Sequence, residues 1–235
     1  MNPTNIPRFL LLSAALATCL AGRISAGPKS GLEPVPRGKL CVTKGAITEI
    51  SSTELEVVEP EMRGVAAYPT KQHVEAHLTY LGRTAKDKPL GSGEIRRQFG
   101  LKLRAQNGCN LVYAMWRIAP KKELVVSVKS NPGQQTHAEC GTNGYTNIKP
   151  QHSSAIPALV KGAHHTLRAL MEGSRMRVFI DGKNVWEGDA GQAALAFDGP
   201  VGVRTDNARF KFELFASKAE KGDGPTSCHT DQGDE

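Results

Sequence analysis

The stretch Ser174–Gly188, SRMRVFIDGKNVWEG, decides how the rest of the chain is read. Met176, Val178 and Ile180 alternate with Arg175, Arg177 and Phe179, a period of two that places the first set on one face of a sheet. Asp181-Gly182 follows, a pair that tolerates positive φ at both central positions of a tight type I′ turn. Val185-Trp186 then restarts an apolar run, so the segment predicts a β-hairpin with its apolar face turned inward.

Working outward, the same period recurs. Val74, Ala76, Leu78 and Tyr80 alternate with His73, Glu75, His77 and Thr79. LCVTKGAITEI, ELEVVEP, QFGLKLRAQ, CNLVYAMWRI, ELVVSVKS, HHTLRALMEG, GPVGVRT and ARFKFELFA read as further strands. Turn-rich pieces such as KDKPLGSG, NPGQQ, GTNGY and FDGP separate them. About ten strands without an amphipathic helix longer than a turn or two predict an all-β sandwich or barrel. AGQAAL, Ala190 to Leu195, reads as a single helical turn.

The chain opens with Arg8 before an apolar run from Phe9 to about Gly22, then small residues to Ala26, the layout of a signal peptide over residues 1–26. The run is shorter than the roughly 20 apolar residues of a spanning helix, and no second such stretch follows. The protein is therefore expected to be secreted or periplasmic, with no transmembrane segment. LATC before Cys19 approaches a bacterial lipoprotein signal, so lipid anchoring at Cys19 is the alternative. GPKSGLEPVPRG, residues 27–38, carries three prolines and three glycines and reads as a linker. Residues 39–217 read as the β-sandwich domain, and residues 218–235 as a disordered polar tail.

Thirty basic and 23 acidic residues give a formal net charge of +7, and cleavage after Ala26 removes Arg8 and Arg23 to leave +5. The positive balance favours anionic partners. Acidic glycans, lipopolysaccharide and nucleic acid are such partners, and no basic run is dense enough to prefer nucleic acid. Four cysteines would remain, Cys41, Cys109, Cys140 and Cys228, an even number that suggests disulfides in an exported chain. Cys109 and Cys140 flank two strand-like runs joined by a loop that could bring them together, and are the expected pair. Cys41 with Cys228 is the weaker pairing, because Cys228 stands in the polar tail.

HTLRALMEGSRMRVFIDGKNVWEG followed by FDGPVGVRTDNARFKFELF resembles the closing strands of concanavalin A-like lectin/glucanase domains, notably the laminin-G-like and 3-keto-disaccharide hydrolase-like groups. In those groups a strand ending in Gly, a strand, a DG turn, a strand and a G-x-V/L-G strand close a two-sheet jelly roll. The resemblance spans Thr166 to Phe215 and implies an antiparallel jelly-roll sandwich of concanavalin type. It implies no activity, because these residues shape hairpins.

In this architecture ligands lie on the concave sheet, so the polar faces of central strands matter. Phe99, Leu101, Leu103 and Ala105 oppose Gln98, Lys102, Arg104 and Gln106. Val112, Ala114 and Trp116 oppose Tyr113, Met115 and Arg117, and Leu124, Val126 and Val128 oppose Val125, Ser127 and Lys129. With the apolar sets in the core, one face gathers Lys102, Arg104, Tyr113, Arg117, Ser127 and Lys129. Such a face suits a sugar bearing carboxylate or sulfate. The competing reading is an ordinary solvated outer face.

THAECGTNGY brings His137, Glu139 and Tyr145 near the expected disulfide, as groove-edge ligands, an acid/base pair or a structural loop. His164 and His165 start a strand and point to opposite faces, so they do not chelate one metal. Asp206-Asn207 is a candidate calcium ligand pair, since the resembled fold sometimes binds calcium, and an Asx turn explains it as well or better. No cofactor is expected. Trp116 and Trp186 alternate into apolar sets and read as core. Glycoside hydrolysis needs two facing carboxylates, and no segment shows that spacing on the polar faces just named; Glu54 and Glu56 alternate but lie in an early strand without aromatic neighbours. The expectation is a non-catalytic, lectin-like carbohydrate-binding module for an acidic glycan. The alternatives are a lyase or hydrolase of modified sugars, with Arg104 neutralising a uronate and Tyr113 or His137 as base, and a cell-surface protein-interaction module.

Overall fold

A computed structural model describes residues 31–220 and Met1. The expected signal peptide, the lipidation position Cys19, and Cys228 with the tail beyond residue 220 lie outside the described residues. In chain order the strands are β1 (Glu33–Pro34), β2 (Leu40–Lys44), β3 (Thr48–Glu49), β4 (Leu55–Val57), β5 (Glu61–Ala66), β6 (Thr70–Arg83), β7 (Arg97–Leu103), β8 (Leu111–Ala119), β9 (Glu123–Lys129), β10 (Tyr145–Asn147), β11 (His152–Ser153), β12 (His164–Glu172), β13 (Arg175–Ile180), β14 (Lys183–Asp189), β15 (Gly202–Asp206) and β16 (Ala208–Lys218). One short helix, α1 (His137–Cys140), interrupts them, and Gln192–Leu195 forms the 3₁₀ turn expected within AGQAAL.

The strands form two antiparallel sheets. One runs β11-β14-β13-β12-β6-β16-β4-β3, with β1 also pairing on β16; the other runs β10-β9-β8-β7-β15-β5-β2. Alternation decides which faces meet. Val74, Ala76, Leu78 and Tyr80 of β6 and Met176, Val178 and Ile180 of β13 are buried, as their period of two requires. Phe99 of the second sheet meets Phe210 and Phe212 of the first edge-on, at ring-centroid distances of 5.0 and 5.7 Å. Such pairs contribute about 0.5–1.5 kcal/mol each beyond the area they bury. Trp116 and Trp186 are core residues, 0% and 3% exposed.

The β13–β14 hairpin turns at Asp181 (φ 51°) and Gly182 (φ 75°), the left-handed pair that a type I′ turn demands. The Asp181 carboxylate accepts from the Thr166 amide at 2.8 Å and meets His165 Nδ1 at 2.8 Å, tying the turn to β12. No atom crowds a side chain at position 182, so replacement there strains only the backbone. Gly182→Val is expected to cost roughly 1–3 kcal/mol, because a β-branched residue resists positive φ. Urea unfolding checks this, and parent-like stability would remove the hairpin's structural role.

One boundary needs correction. Residues 27–38 are not a linker throughout: Glu33 and Pro34 pair with Ala216 and Phe215 of β16, and Val35 is fully buried in the core. The Val35 amide donates to the Leu214 carbonyl at 2.7 Å. Pro34 is tolerated because this strand lies at a margin, where a missing N–H breaks no ladder.

Candidate functional site

The second sheet turns its inner face to the core and its outer face to a cleft of about 1030 Å³. Strand register arranges that outer face in rows across the strands, because paired residues of neighbouring strands share a face. The first row is Cys41, Val65, Gly202, Lys102, Tyr113, Ser127 and Asn147. The second is Arg63, Arg204, Gly100, Met115 and Val125. The third is Glu61, Asp206, Gln98, Arg117 and Glu123. Loops around residues 90–96, 105–108, 135–142 and 198–200 raise the walls.

Of the residues expected from the sequence, Lys102, Tyr113, Arg117, Ser127, Lys129, His137 and Tyr145 all line this cleft. Arg104 does not. It stands one residue beyond β7 with φ 47°, and the left-handed backbone ends the alternation that would have turned it into the row. Its Nε donates instead to the Phe197 carbonyl at 2.8 Å, and its amide donates to Gln72 Oε1.

Two cations absent from the expected set take its place. Arg63 and Arg204 are register partners on β5 and β15. Arg204 Nε and Nη2 donate to the Asp206 carboxylate at 2.8 and 3.2 Å, and Gln98 Nε2 donates to the same carboxylate at 2.6 Å. Burial alone would raise the Asp206 carboxyl, but the Arg204 and Arg63 charges prevail and hold it below its ordinary range. Burial opposes the charged form of Arg204 too, yet Asp206 keeps it protonated well above the usual value. Arg204 carried a signal in the sequence, standing between Gly202 and Asp206 along β15, whereas Arg63 carried none, because β5 shows no apolar-polar contrast.

Aromatic rings continue from this pair. The Arg204 guanidinium lies 5.2 Å from the Tyr113 ring centroid, Tyr113 stacks on Tyr145 at 6.2 Å, and Lys129 Nζ lies 5.2 Å from the Tyr145 ring. Tyr145 is 41% exposed and offers its ring to the cleft, whereas Tyr113 is 4% exposed. Burial pushes the Tyr113 hydroxyl up to about 12, so it stays protonated near neutral pH. Lys129 is 1% exposed and donates to the carbonyls of Gly108 and Gly141, pinning two wall loops together. Met115 supplies an apolar floor: a Cβ on residue 100 would collide with its sulfur, so Gly100 lets the thioether lie flat on the sheet.

The loop holding His137 is tied down covalently. Cys109 and Cys140 form the expected disulfide, with a Cα–Cα distance of 5.9 Å. Cys41, at the cleft wall, is disulfide-bonded as well. Glu139 does not join His137 as an acid/base partner, because its carboxylate accepts from the Thr136 and Gln135 amides at 2.7 and 2.8 Å and caps α1. Asp206 and Asn207 are engaged by different protein groups: Asp206 accepts from Arg204 and Gln98. Asn207 accepts from the Lys88 amide and donates to the Lys88 and Arg96 carbonyls, bracing a loop. No group of three or more acids, histidines or cysteines suited to a metal occurs among the described residues. No helix among them is long and apolar enough to cross a membrane.

The two sheets, their antiparallel order and the cleft on the outer face of one of them can be set beside solved structures. Carbohydrate binding module CBM66 from Bacillus subtilis superposes over 74% of this chain and 92% of its own, with a TM-score of 0.52 and 12% identity. The fold is a concanavalin-like jelly roll. Caenorhabditis elegans galectin LEC-6 aligns over 68% of this chain and 94% of its own length, at 11% identity and a TM-score of 0.37. No family model and no curated protein matches the sequence of the jelly roll.

Proposed function

We propose that this jelly roll is an exported carbohydrate-binding module that holds an acidic glycan in the cleft without cleaving it. The observation that carries the reading is the composition of the cleft wall: six cations, Arg63, Arg96, Lys102, Arg117, Lys129 and Arg204, line it with two acids, Glu61 and Asp198, around an exposed tyrosine ring, while Asp206 and Glu123 of the same face pair with Arg204 and Arg117. Guanidinium groups grip carboxylate or sulfate through paired hydrogen bonds, and a tyrosine face packs on the apolar face of a sugar. The disulfide supports export to an oxidising compartment.

The groups named for catalysis favour the binding reading. A lyase would use Arg104 with Tyr113 or His137 as base, but Arg104 turns to the Phe197 carbonyl and burial keeps Tyr113 protonated, which leaves His137 of the cleft lining as that reading's one candidate base. A hydrolase needs a carboxylic acid with a raised pKa. Burial works in that direction for Glu61, yet the hydrogen bond from Lys88 and the charges of Arg63 and Lys44 bring its carboxyl below the ordinary range. Asp206 is held low in the same way by Arg204 and Arg63.

Affinity electrophoresis of the mature protein through gels containing polygalacturonate or a neutral glucan tests the reading. Retardation is expected in the acidic gel alone, and it should weaken between about 50 and 300 mM salt as screening shortens the reach of the cleft's charge. Lys102→Ala with Arg117→Ala should abolish it while thermal unfolding stays cooperative. Equal mobility in both gels would remove the acidic-glycan assignment, and binding to a protein array with none to a glycan array would favour the interaction module.

A further inference from the structure

The geometry points to Arg63 and Arg204 as one anion-binding subsite that receives the carboxylate or sulfate of the bound sugar, with the next sugar unit lying on Tyr145. This rests on the glycan reading above and assigns where in the cleft the charge goes.

The argument begins with charge. Two guanidinium groups on neighbouring strands in direct register are about 5 Å apart at the backbone and repel one another unless acids intervene. Two acids do. Asp206 takes Arg204, and Glu61 is shared among Arg63 at 3.5 Å, Lys44 at 3.4 Å and Lys88 at 2.9 Å. Four cations thus lie within ion-pair distance of two carboxylates, and two of the four, Arg63 and Arg204, line the cleft. The side chains of Arg63 and Arg204 are only 15% and 9% exposed, so water screens them poorly and an arriving anion gains more than it would at an open surface.

Preorganisation adds to this. Asp206 occupies Nε and Nη2 of Arg204, and the Tyr113 ring flanks its guanidinium, so the side chain is already fixed in one place. Little rotamer entropy remains to be lost when the ligand binds. Asp206 takes only Nε and Nη2 of Arg204, and Arg63 is the register partner of Arg204 on the adjacent strand. From Arg204 to Tyr145 the path crosses Tyr113 in two steps of 5.2 and 6.2 Å, each close to the scale of one sugar ring. Two linked sugar units cover it. The charged unit sits at the arginine end and its neighbour at the tyrosine end.

Calorimetric titration of the whole chain with galacturonic acid, its disaccharide and its trisaccharide tests this, alongside the methyl-esterified disaccharide and a sulfated disaccharide. Affinity should rise sharply from one unit to two and little from two to three. Arg63→Gln should weaken binding of the acidic disaccharide about tenfold, the loss expected for one charge-assisted hydrogen bond, and leave the ester unchanged. Arg63→Lys should recover part of the loss, and Arg104→Ala should bind like the parent. A stronger response to the sulfated disaccharide with the same dependence on Arg63 would support the subsite and name sulfate as its anion. Equal binding of acid and ester by the parent would overturn the subsite and leave a neutral-glycan cleft. A preference for acid that survives Arg63→Gln would place the charge elsewhere in the cleft. No binding of any of these sugars would remove the glycan reading itself.

Discussion

Asp206→Ala is expected to lower the free energy of unfolding by about 3–5 kcal/mol, the cost of leaving a buried cation without its partner. Asp206 is fully buried, and three hydrogen bonds from Arg204 and Gln98 converge on it. Removing it strands the Arg204 guanidinium beside Arg63, with repulsion added to desolvation. Asp206→Asn should cost less than Ala, since the amide oxygen still accepts, but more than a surface change. The sign of the pH effect follows from the direction of the shift. The folded Asp206 carboxyl lies below its unfolded value of about 3.9, so its stabilisation is complete above that pH and is lost as pH falls through the folded pKa. Denaturant titrations of parent and Asp206→Ala at pH 7 and pH 3 check both points. The gap between the two proteins should narrow at the lower pH, and a loss below about 1 kcal/mol at pH 7 would show that the pair does not hold the sheet.

The second large effect is covalent. Cys109 and Cys140 are 31 residues apart, and in the loop-entropy account a crosslink over such a span stabilises by roughly 3–4 kcal/mol. Cys109→Ser with Cys140→Ser should lower the unfolding free energy by about that amount. The same bond fastens the loops at 105–108 and 135–142, which form one wall of the cleft, so glycan affinity should fall at temperatures where the variant is still folded. Calorimetric titration beside a thermal melt separates the two effects. A variant that binds like the parent would show that Lys129, through Gly108 and Gly141, suffices to hold the wall.

The fold was legible because alternation is a local signal. β6, β12 and β13 each bury every second residue, and the Asp181-Gly182 turn fixes its register through two adjacent positive φ values. β5 was harder to see. Glu61–Ala66 is buried at nearly every position, so no apolar-polar contrast marked it, and Arg63 stayed hidden within it. Arg104 shows the opposite failure. The alternation of β7 runs straight through it on paper, but the chain turns left-handed at that residue, and only the contacts with Gln72 and Phe197 reveal why. Pairing across strands was equally invisible: Arg204 and Arg63 are 141 positions apart in numbering and side by side in the sheet. Side-chain alternation along one strand is written in neighbouring residues, whereas the rows across strands depend on register.

The ends of the larger sheet are two-residue strands, β11 and β3, while its longest strands, β6 and β16, lie inside. The smaller sheet ends in three-residue β10 on one side and, on the other, in β2, whose pairing slips between Val42 and Lys44. A foreign strand needs a straight row of open N–H and C=O groups as a template, and such short or broken margins present few of them. Among the described residues the margins of both sheets therefore discourage one copy from zipping onto another, which keeps neighbouring molecules separate at high local concentration rather than joined in a fibre.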